Sequence, residues 1–508
     1  MKRKNIFTAI ALALSLSLGM VSCISDDSTE ATRELPTLTI QNANGSEMPE
    51  YNLYLGNDCV IDPQVSYSGD ASNLQYKWQV GTYINGAKGK LEEVSTEPTL
   101  NYQFTSGGTY YVHLAVTDGQ VGKVIEYKVN VNRTFEKGYL ITSTDADGKG
   151  NLSFVKTLTS EEVAAGQKEI VIEHCLNKMN PDVSEDHLVN AVLASITWPK
   201  SLTRVMVSTD DHCYVIDPNN FTVITAINYG ETSSTFRASS FLPDSYAPYA
   251  YDKTTGELVH VKVQYMFSYS QDTFKGLRAD AFIPSKMSMW GSVSTNTYLV
   301  DYNTNVAKAQ NMNTGEFDAV GNLPEGQELL TVFCNYGYDA NYNLPVYTFS
   351  KDKSTGEVYI WEFIAGNSWA GTTDKFQSQK IEADANTAVP AKGTPFVVSF
   401  NQKRYFYALG NRIYVYLPDV ATKSLPQKDQ YAIDFGSNEE VTFVDLNATN
   451  DQLLVGTYDK STKRGNFYIY NCKDVRTDNS ANVKPVEVHK GCAGRISSII
   501  FKPSVQSC

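Results

Sequence analysis

The chain has 508 residues, with 56 acidic side chains against 43 Lys and Arg, for a formal net charge of −13. That balance excludes the cationic surface a nucleic-acid-binding protein needs, and no basic stripe offsets it locally. The length allows two or more domains with sizeable cores. The eight cysteines contain no C-x-x-C pair and match neither a zinc pattern nor a dense disulfide scaffold.

Lys2-Arg3-Lys4 is followed by an uncharged apolar run from Ile6 to Val21. A positive start and an apolar stretch too short for a comfortable membrane span form a secretory signal, here residues 1–22. Met20-Val21-Ser22 directly before Cys23 resembles the lipobox of bacterial lipoproteins, with Met where Leu is commoner. The resemblance implies that Cys23 is acylated. Each buried acyl CH₂ contributes roughly 0.8 kcal/mol, so several chains on one cysteine make a stable anchor. Ser25-Asp26-Asp27 resembles the acidic signal that sends lipoproteins of Bacteroidetes-type bacteria to the outer face of the outer membrane. No second apolar stretch is long enough to span a bilayer, so lipid is the expected membrane attachment.

Residues 23–35 are rich in Ser, Thr, Asp and Glu and cannot bury enough apolar surface to order themselves; they read as a flexible tether. Asp27-Ser28-Thr29 also resembles the short O-glycosylation motif of these bacteria.

Residues 36–133 read as an immunoglobulin-like sandwich, since runs such as Leu74–Val80, Tyr110–Val116 and Val124–Val129 alternate with period two. The period places Tyr76, Trp78 and Val80 on one face. Tyr76-Lys77-Trp78, then Leu100–Phe104, Gly107–Val112 and Leu114-x-Val116-x-Asp118 resemble a PKD domain. That resemblance implies a core Trp78, a turn at Asp118-Gly119 and a role as spacer or platform. His113 alternates with apolar neighbours and reads as a solvent-facing strand residue.

From 134 to 508 seven similar units recur, each a strand, a turn and an aromatic-rich second strand. They are Tyr139–Thr142 with Leu152–Val155, Arg204–Ser208 with Cys213–Asp217, and Tyr249–Tyr251 with Leu258–Val261. Met289-Trp290 with Tyr298–Asp301 follows, then Val346–Phe349 with Val358–Trp361. Arg404–Tyr407 with Ile413–Tyr416 and Leu453–Gly456 with Phe467–Tyr470 complete the set. Units start roughly 40 to 65 residues apart, the period of a β-propeller with four short strands per blade. The expected fold is therefore all-β: a sandwich, then a roughly seven-bladed propeller, with six or eight blades left open. Asp252–Gly256 and Asp352–Gly356 are matching turns. The tail Gly494–Phe501 is a strand without a partner of its own, expected to complete the first blade and clasp the ring. Ser160–Val163 and Ser184–Val189 read as starts of short helices within an elaborated loop between Thr157 and Lys200.

No hydrolase, zinc-protease, phosphate-loop or dinucleotide motif occurs, so no catalytic residue, metal or cofactor is assigned. Asp210-Asp211-His212 reads as a solvated turn. Asp145–Asn151 resembles half a calcium loop but lacks a downstream bidentate Glu and reads as a turn. The remaining cysteines, Cys59, Cys175, Cys213, Cys334, Cys472, Cys492 and Cys508, read mostly as small buried core residues, with one or two bridges left open.

The chain carries 32 tyrosines against 5 tryptophans, and several rings fall in loop-like segments with amides and acids. Tyr265, Phe267, Tyr269, Tyr336, Tyr338, Tyr342 and Trp369 are the candidate ligand contacts, because aromatic loops suit peptides and sugars. The alternative is that such rings pack between blades. Anchor, PKD-like domain and propeller together resemble the PKD-like family of Bacteroidetes lipoproteins. That resemblance implies a non-catalytic accessory of a SusC/SusD-type importer, capturing oligopeptides or oligosaccharides at the cell exterior. A surface glycan- or peptide-degrading enzyme, a host-matrix adhesin and a purely structural lid or spacer of the importer are the alternatives.

Overall fold

The computed structural model describes residues 35–41, 49–84, 87–196, 202–231, 233–242, 248–264, 268–274, 281–289, 292–302, 305–310, 317–334, 344–365, 376–399, 401–417 and 424–505. Almost every regular element in them is a strand.

At the amino-terminal side Leu38–Gln41 pairs antiparallel with Gln64–Tyr67, and Asp58–Ile61 with Leu100–Gln103. A larger sheet runs in the order Glu50–Tyr54, Gly122–Asn132, Gly108–Thr117, Gln75–Ile84. Alternate residues Val112, Leu114 and Val116 are fully buried and share a core with Trp78, Leu38, Cys59, Ile61 and Leu100. Trp78 has no exposed surface, as the period-two reading requires, and its indole N–H donates to Glu97 O at 2.8 Å. Asp118 Oδ1 accepts the backbone N–H of Gln120 and Val121, each at 2.7 Å, closing the turn with Gly119 at φ +86°. His113 is partly buried rather than freely solvated, its Nε2 bonded to Glu126 across the sheet at 2.5 Å.

Among the described residues seven four-stranded antiparallel sheets follow. The first combines Val171–Ile172, Gly150–Lys156, Gly138–Thr144 and, from the far end of the chain, Arg495–Lys502. The other six use consecutive strands and open at Leu188, Ser240, Ala281, Gln327, Phe396 and Glu439. Opening strands of neighbouring sheets lie against one another: Arg495–Lys502 on Leu188–Ile196, that strand on Ser240–Leu242, Ala281–Met289 on Gln327–Cys334, Gln327–Cys334 on Phe396–Ser399, and that strand on Glu439–Leu446. Glu439–Leu446 returns to Arg495–Lys502. The arrangement is propeller-like, and the tail strand pairs with Gly138–Thr144 as its sequence leads one to expect.

Apolar strands buried on both faces explain this stacking, since no single four-stranded sheet covers its own surfaces. Between the fifth and sixth sheets the filling is aromatic. Phe396 stacks on Tyr407 at 4.5 Å and on Phe333 at 4.7 Å, and Tyr405 and Tyr416 complete the group with no exposed surface. The turns after the second strand repeat as well. Asp252, Asp352 and Asp459 each accept the N–H two residues on, at 2.7 to 2.8 Å. Gly256, Gly356 and Lys463 close these turns at positive φ.

The sequence reading misplaces two elements. Met289 lies in the opening strand of the fourth sheet and pairs with Ser292, whereas Tyr298–Val300 faces Ala281–Ile283 and Ala307–Ala309. Ser184–Val189 is not a helix: Leu188 already begins a strand, and Glu185 is drawn inward to bond backbone. Ser160–Ala164 is helical, with Thr159 and Glu162 forming a capping box. A second short helix, Cys175–Met179, carries no signal in the sequence reading. Cys59, Cys175, Cys213, Cys472 and Cys492 are free and buried.

One continuous core joins the amino-terminal sheets to the first two of the seven four-stranded sheets. Phe135 stacks on Phe221 at 4.5 Å and meets Phe154 at 5.2 Å. Phe221 holds φ +63°, a left-handed conformation that costs a β-carbon-bearing residue roughly 1–2 kcal/mol. Its buried ring offsets that cost. Phe221→Ala keeps the strained backbone and removes the ring, so a loss of about 3–5 kcal/mol is expected. Calorimetry should then resolve separate transitions for the amino-terminal sheets and the ring; a single unshifted transition would refute the joining role.

Candidate functional site

The first sheet and the segment that follows it build a cleft of about 430 Å³. The turn at Asp145–Gly150 forms one wall, and His174, Asn177 and the loop Pro181–Asp186 form the other. The turn closes on itself, Asp145 N–H donating to Lys149 O at 2.7 Å and Gly148 N–H to Asp145 O at 2.9 Å. Gly150 is required, because a β-carbon there would sit 2.3 Å from Glu185 O.

Glu185 is the pivot of the second wall. Its side chain is only 3 % exposed. Leu152 N–H donates to Oε2 and Asn177 N–H to Oε1, both at 2.8 Å, so the carboxylate ties strand, helix and loop together. A buried carboxylate held by backbone donors is stable only while those donors stay in place. His174 bridges the two walls, Nε2 at 3.2 Å from Asp145 Oδ2 and Nδ1 at 3.4 Å from Glu185 Oε2. The bond to Glu185 holds the imidazole above its ordinary pKa against the opposing effect of burial. Asp145 also accepts from Asn151 Nδ2 at 3.1 Å.

At the mouth Asp147, Asp182 and Asp186 are exposed, and Lys149 approaches Asp186 at 3.6 Å. Five carboxylates against one lysine and one histidine give the cleft a negative potential and many hydrogen-bond acceptors. It suits cationic side chains or rows of hydroxyls. Among the described residues no group of three or more His, Cys, Asp or Glu is arranged to hold a metal ion. Asp210-Asp211-His212 forms a turn in which Thr209 Oγ1 and His212 Nδ1 both reach Asp211 Oδ1 at 2.9 Å.

Cys23, Tyr265, Phe267, Tyr336, Tyr338, Tyr342 and Trp369 lie outside the described residues. Tyr269 lies in the strand Ser268–Phe274, paired with Val263. Sequence reasoning did not single out His174, Asn177 or Glu185. The only local signal at Glu185, an acid behind Ser184, reads as a helix start, and its partners are set by the fold.

No protein-family model matches the chain, and no curated protein matches it. Solved structures do. A quinonprotein alcohol dehydrogenase-like protein from Bacteroides thetaiotaomicron superposes with a TM-score of 0.50 at 15% identity, over 89% of this chain and 96% of that one. A candidate 6-phosphogluconolactonase from Bacteroides uniformis gives 0.36 at 9% identity, over 84% and 99%. A protein from Lactobacillus plantarum gives 0.36 at 11% identity, over the same shares. The first likeness shows a shared β-propeller-like fold; at such identities none of them conveys an activity.

Proposed function

We propose that this chain is a lipid-anchored protein of the outer cell surface that captures oligopeptides or oligosaccharides for a SusC/SusD-type importer and performs no chemistry on them. The observation that carries the reading is the stretch Met20–Asp27, a lipobox-like cysteine followed at once by an acidic export signal, set ahead of an all-β body. In this reading residues 36–133 are a PKD-like platform, the seven sheets are seven blades, and the tail strand closes the ring. A closed ring is rigid, and loops at its ends offer recognition surface at little cost to the core. The cleft supports binding over catalysis, because His174 and Glu185 are already committed to holding its walls.

The aromatic loops after the third, fourth and fifth sequence units are the proposed contact face, with Tyr336, Tyr338 and Trp369 as anchors. Removing a stacked ring typically costs upwards of ~1 kcal/mol, several-fold in affinity for each substitution to Ala. Calorimetric titration of the triple variant with peptide and glycan mixtures, beside its thermal melt, tests this. Weakened binding with an unchanged melt is expected. A lowered melt with unchanged affinity would make the rings structural. Product formation by the parent protein would instead favour an enzyme, and binding to intact matrix but not to fragments an adhesin.

A further inference from the structure

The segment 157–187, which carries the outer strand Val171–Ile172 of the first sheet and leads on to the second, touches four parts of the molecule. Glu162 accepts the Tyr54 hydroxyl of the amino-terminal sheets at 3.0 Å and pairs with the buried Lys156 at 2.5 Å. Asn180 Nδ2 donates to Phe221 O at 2.9 Å, and its Oδ1 accepts Val223 N–H at 2.7 Å, which binds the second sheet. Glu185 holds the first sheet through Leu152. Glu169 and Glu173 reach the seventh sheet, Glu169 to His489 Nδ1 and Glu173 to Arg464. The last two contacts lie at the seam where the first and last sheets meet.

His489 is the unusual member. Its side chain is 14 % exposed and stacks on Phe467 at 5.3 Å, with Tyr139 of the first sheet 6.4 Å away. Carboxylates flank it from two elements: Glu169, just before the outer strand of the first sheet, and Glu487 from its own strand with Nε2 at 3.4 Å. The neighbouring charges are Lys490, paired with Glu439, and Arg464, which bonds Gly491 O at 2.7 Å as well as Glu173. Buried Cys492 and Tyr139 are the other titratable groups facing this corner; burial pushes both upward, so neither ionises near neutrality.

We propose that residues 157–187 form a pH-set strap across the ring seam, with the charged imidazole of His489 as the bolt that fastens Glu169 to the last sheet. Burial alone would lower the His489 pKa, but the bonds to Glu487 and Glu169 outweigh it and hold the pKa above the ordinary 6.5. The sign follows. The bolt contributes fully below about pH 6.5, where the unfolded imidazole is also charged, and its contribution is lost as pH rises through the folded value. Since His174 and Pro181–Asp186 belong to the same strap, loosening at the seam reaches one wall of the cleft. His174, the neighbour of Glu173, also titrates, facing Asp145 and Glu185, and both substitutions below leave it in place, so a slope they abolish belongs to His489.

Amide hydrogen exchange of the full-length chain, corrected for intrinsic rates between pH 6 and 8.5, tests the strap. Peptides covering 165–173 and 487–493 should lose protection several-fold as pH rises. His489→Gln should be weakly protected and flat across the range. Glu169→Gln, which keeps the imidazole and removes its charged partner, should reduce the slope in the same peptides. A wild-type seam with flat protection would overturn the proposal, as would a slope unchanged in either variant. Should His489→Gln fail to fold, Glu169→Gln decides alone. The outcome is independent of whether any nutrient binds.

Discussion

Deleting residues 494–508 is expected to abolish cooperative unfolding of the four-stranded sheets. The strand Arg495–Lys502 pairs along nearly the whole of Gly138–Thr144 and lies between the opening strands of the second and seventh sheets. Ile496 and Ile499 are each 1% exposed and pack with Tyr139, Leu454 and Phe467. Two fully buried isoleucines contribute roughly 1.5–3 kcal/mol apiece, and each backbone hydrogen bond about 1 kcal/mol net. The loss is thus on the order of 5–10 kcal/mol, comparable to the whole stability of a typical domain. Unpaired edges on both sides of the gap should also promote aggregation. The amino-terminal sheets should melt lower too, because Leu140, Phe154 and Ile172 of the first sheet belong to the same core as Trp78. Gly494→Val is a point-mutant version, since a β-carbon there would lie 2.3 Å from Thr144 O. A truncated chain that melts like the full one would show the clasp to be dispensable.

The all-β, propeller-like repeat of sheets was legible in sequence because its signals are local. Strands buried on both faces read as aromatic and β-branched runs, as in Arg404–Tyr407 and Ile413–Tyr416. Asp-initiated turns of one length recur after the second strand. The tail strand was legible by its lack of a neighbour, since an unpaired apolar strand needs one. The fourth unit was misread because its second strand is long: Ser292–Asp301 pairs at one end with Met289 and at the other with Ala281. The cleft was illegible for a different reason. Glu185, His174 and Asn177 gain their roles from backbone donors and carboxylates brought near by the fold of an irregular segment. No spacing rule in the chain reports that. The shared core was equally hidden, because Phe221 is a turn residue whose ring reaches Phe135 only in three dimensions.

Replacing Cys23 with Ala is expected to change the protein's location completely while leaving its fold intact. The thiol is the only acylation site the lipobox-like stretch offers, so without it the anchor of several buried chains is lost. No helix among the described residues is long and apolar enough to cross a membrane. If Cys23 carries the lipid, the variant should leave the membrane fraction or remain as an uncleaved precursor held by its apolar leader. Converting Ser25, Asp26 and Asp27 to Ala should keep the lipid and change only the leaflet or face reached. The two variants separate attachment from display.

Protease treatment of intact cells, followed by detection of the chain in membrane fractions, measures both at once. The account predicts that wild-type protein is membrane-bound and degraded, and that the Ser25-Asp26-Asp27 variant is membrane-bound and protected. Cys23→Ala should be absent from the mature membrane-bound pool. Wild-type protein that stays protected on intact cells, or a Cys23→Ala variant that is processed and retained like wild type, would contradict surface display through a lipid anchor.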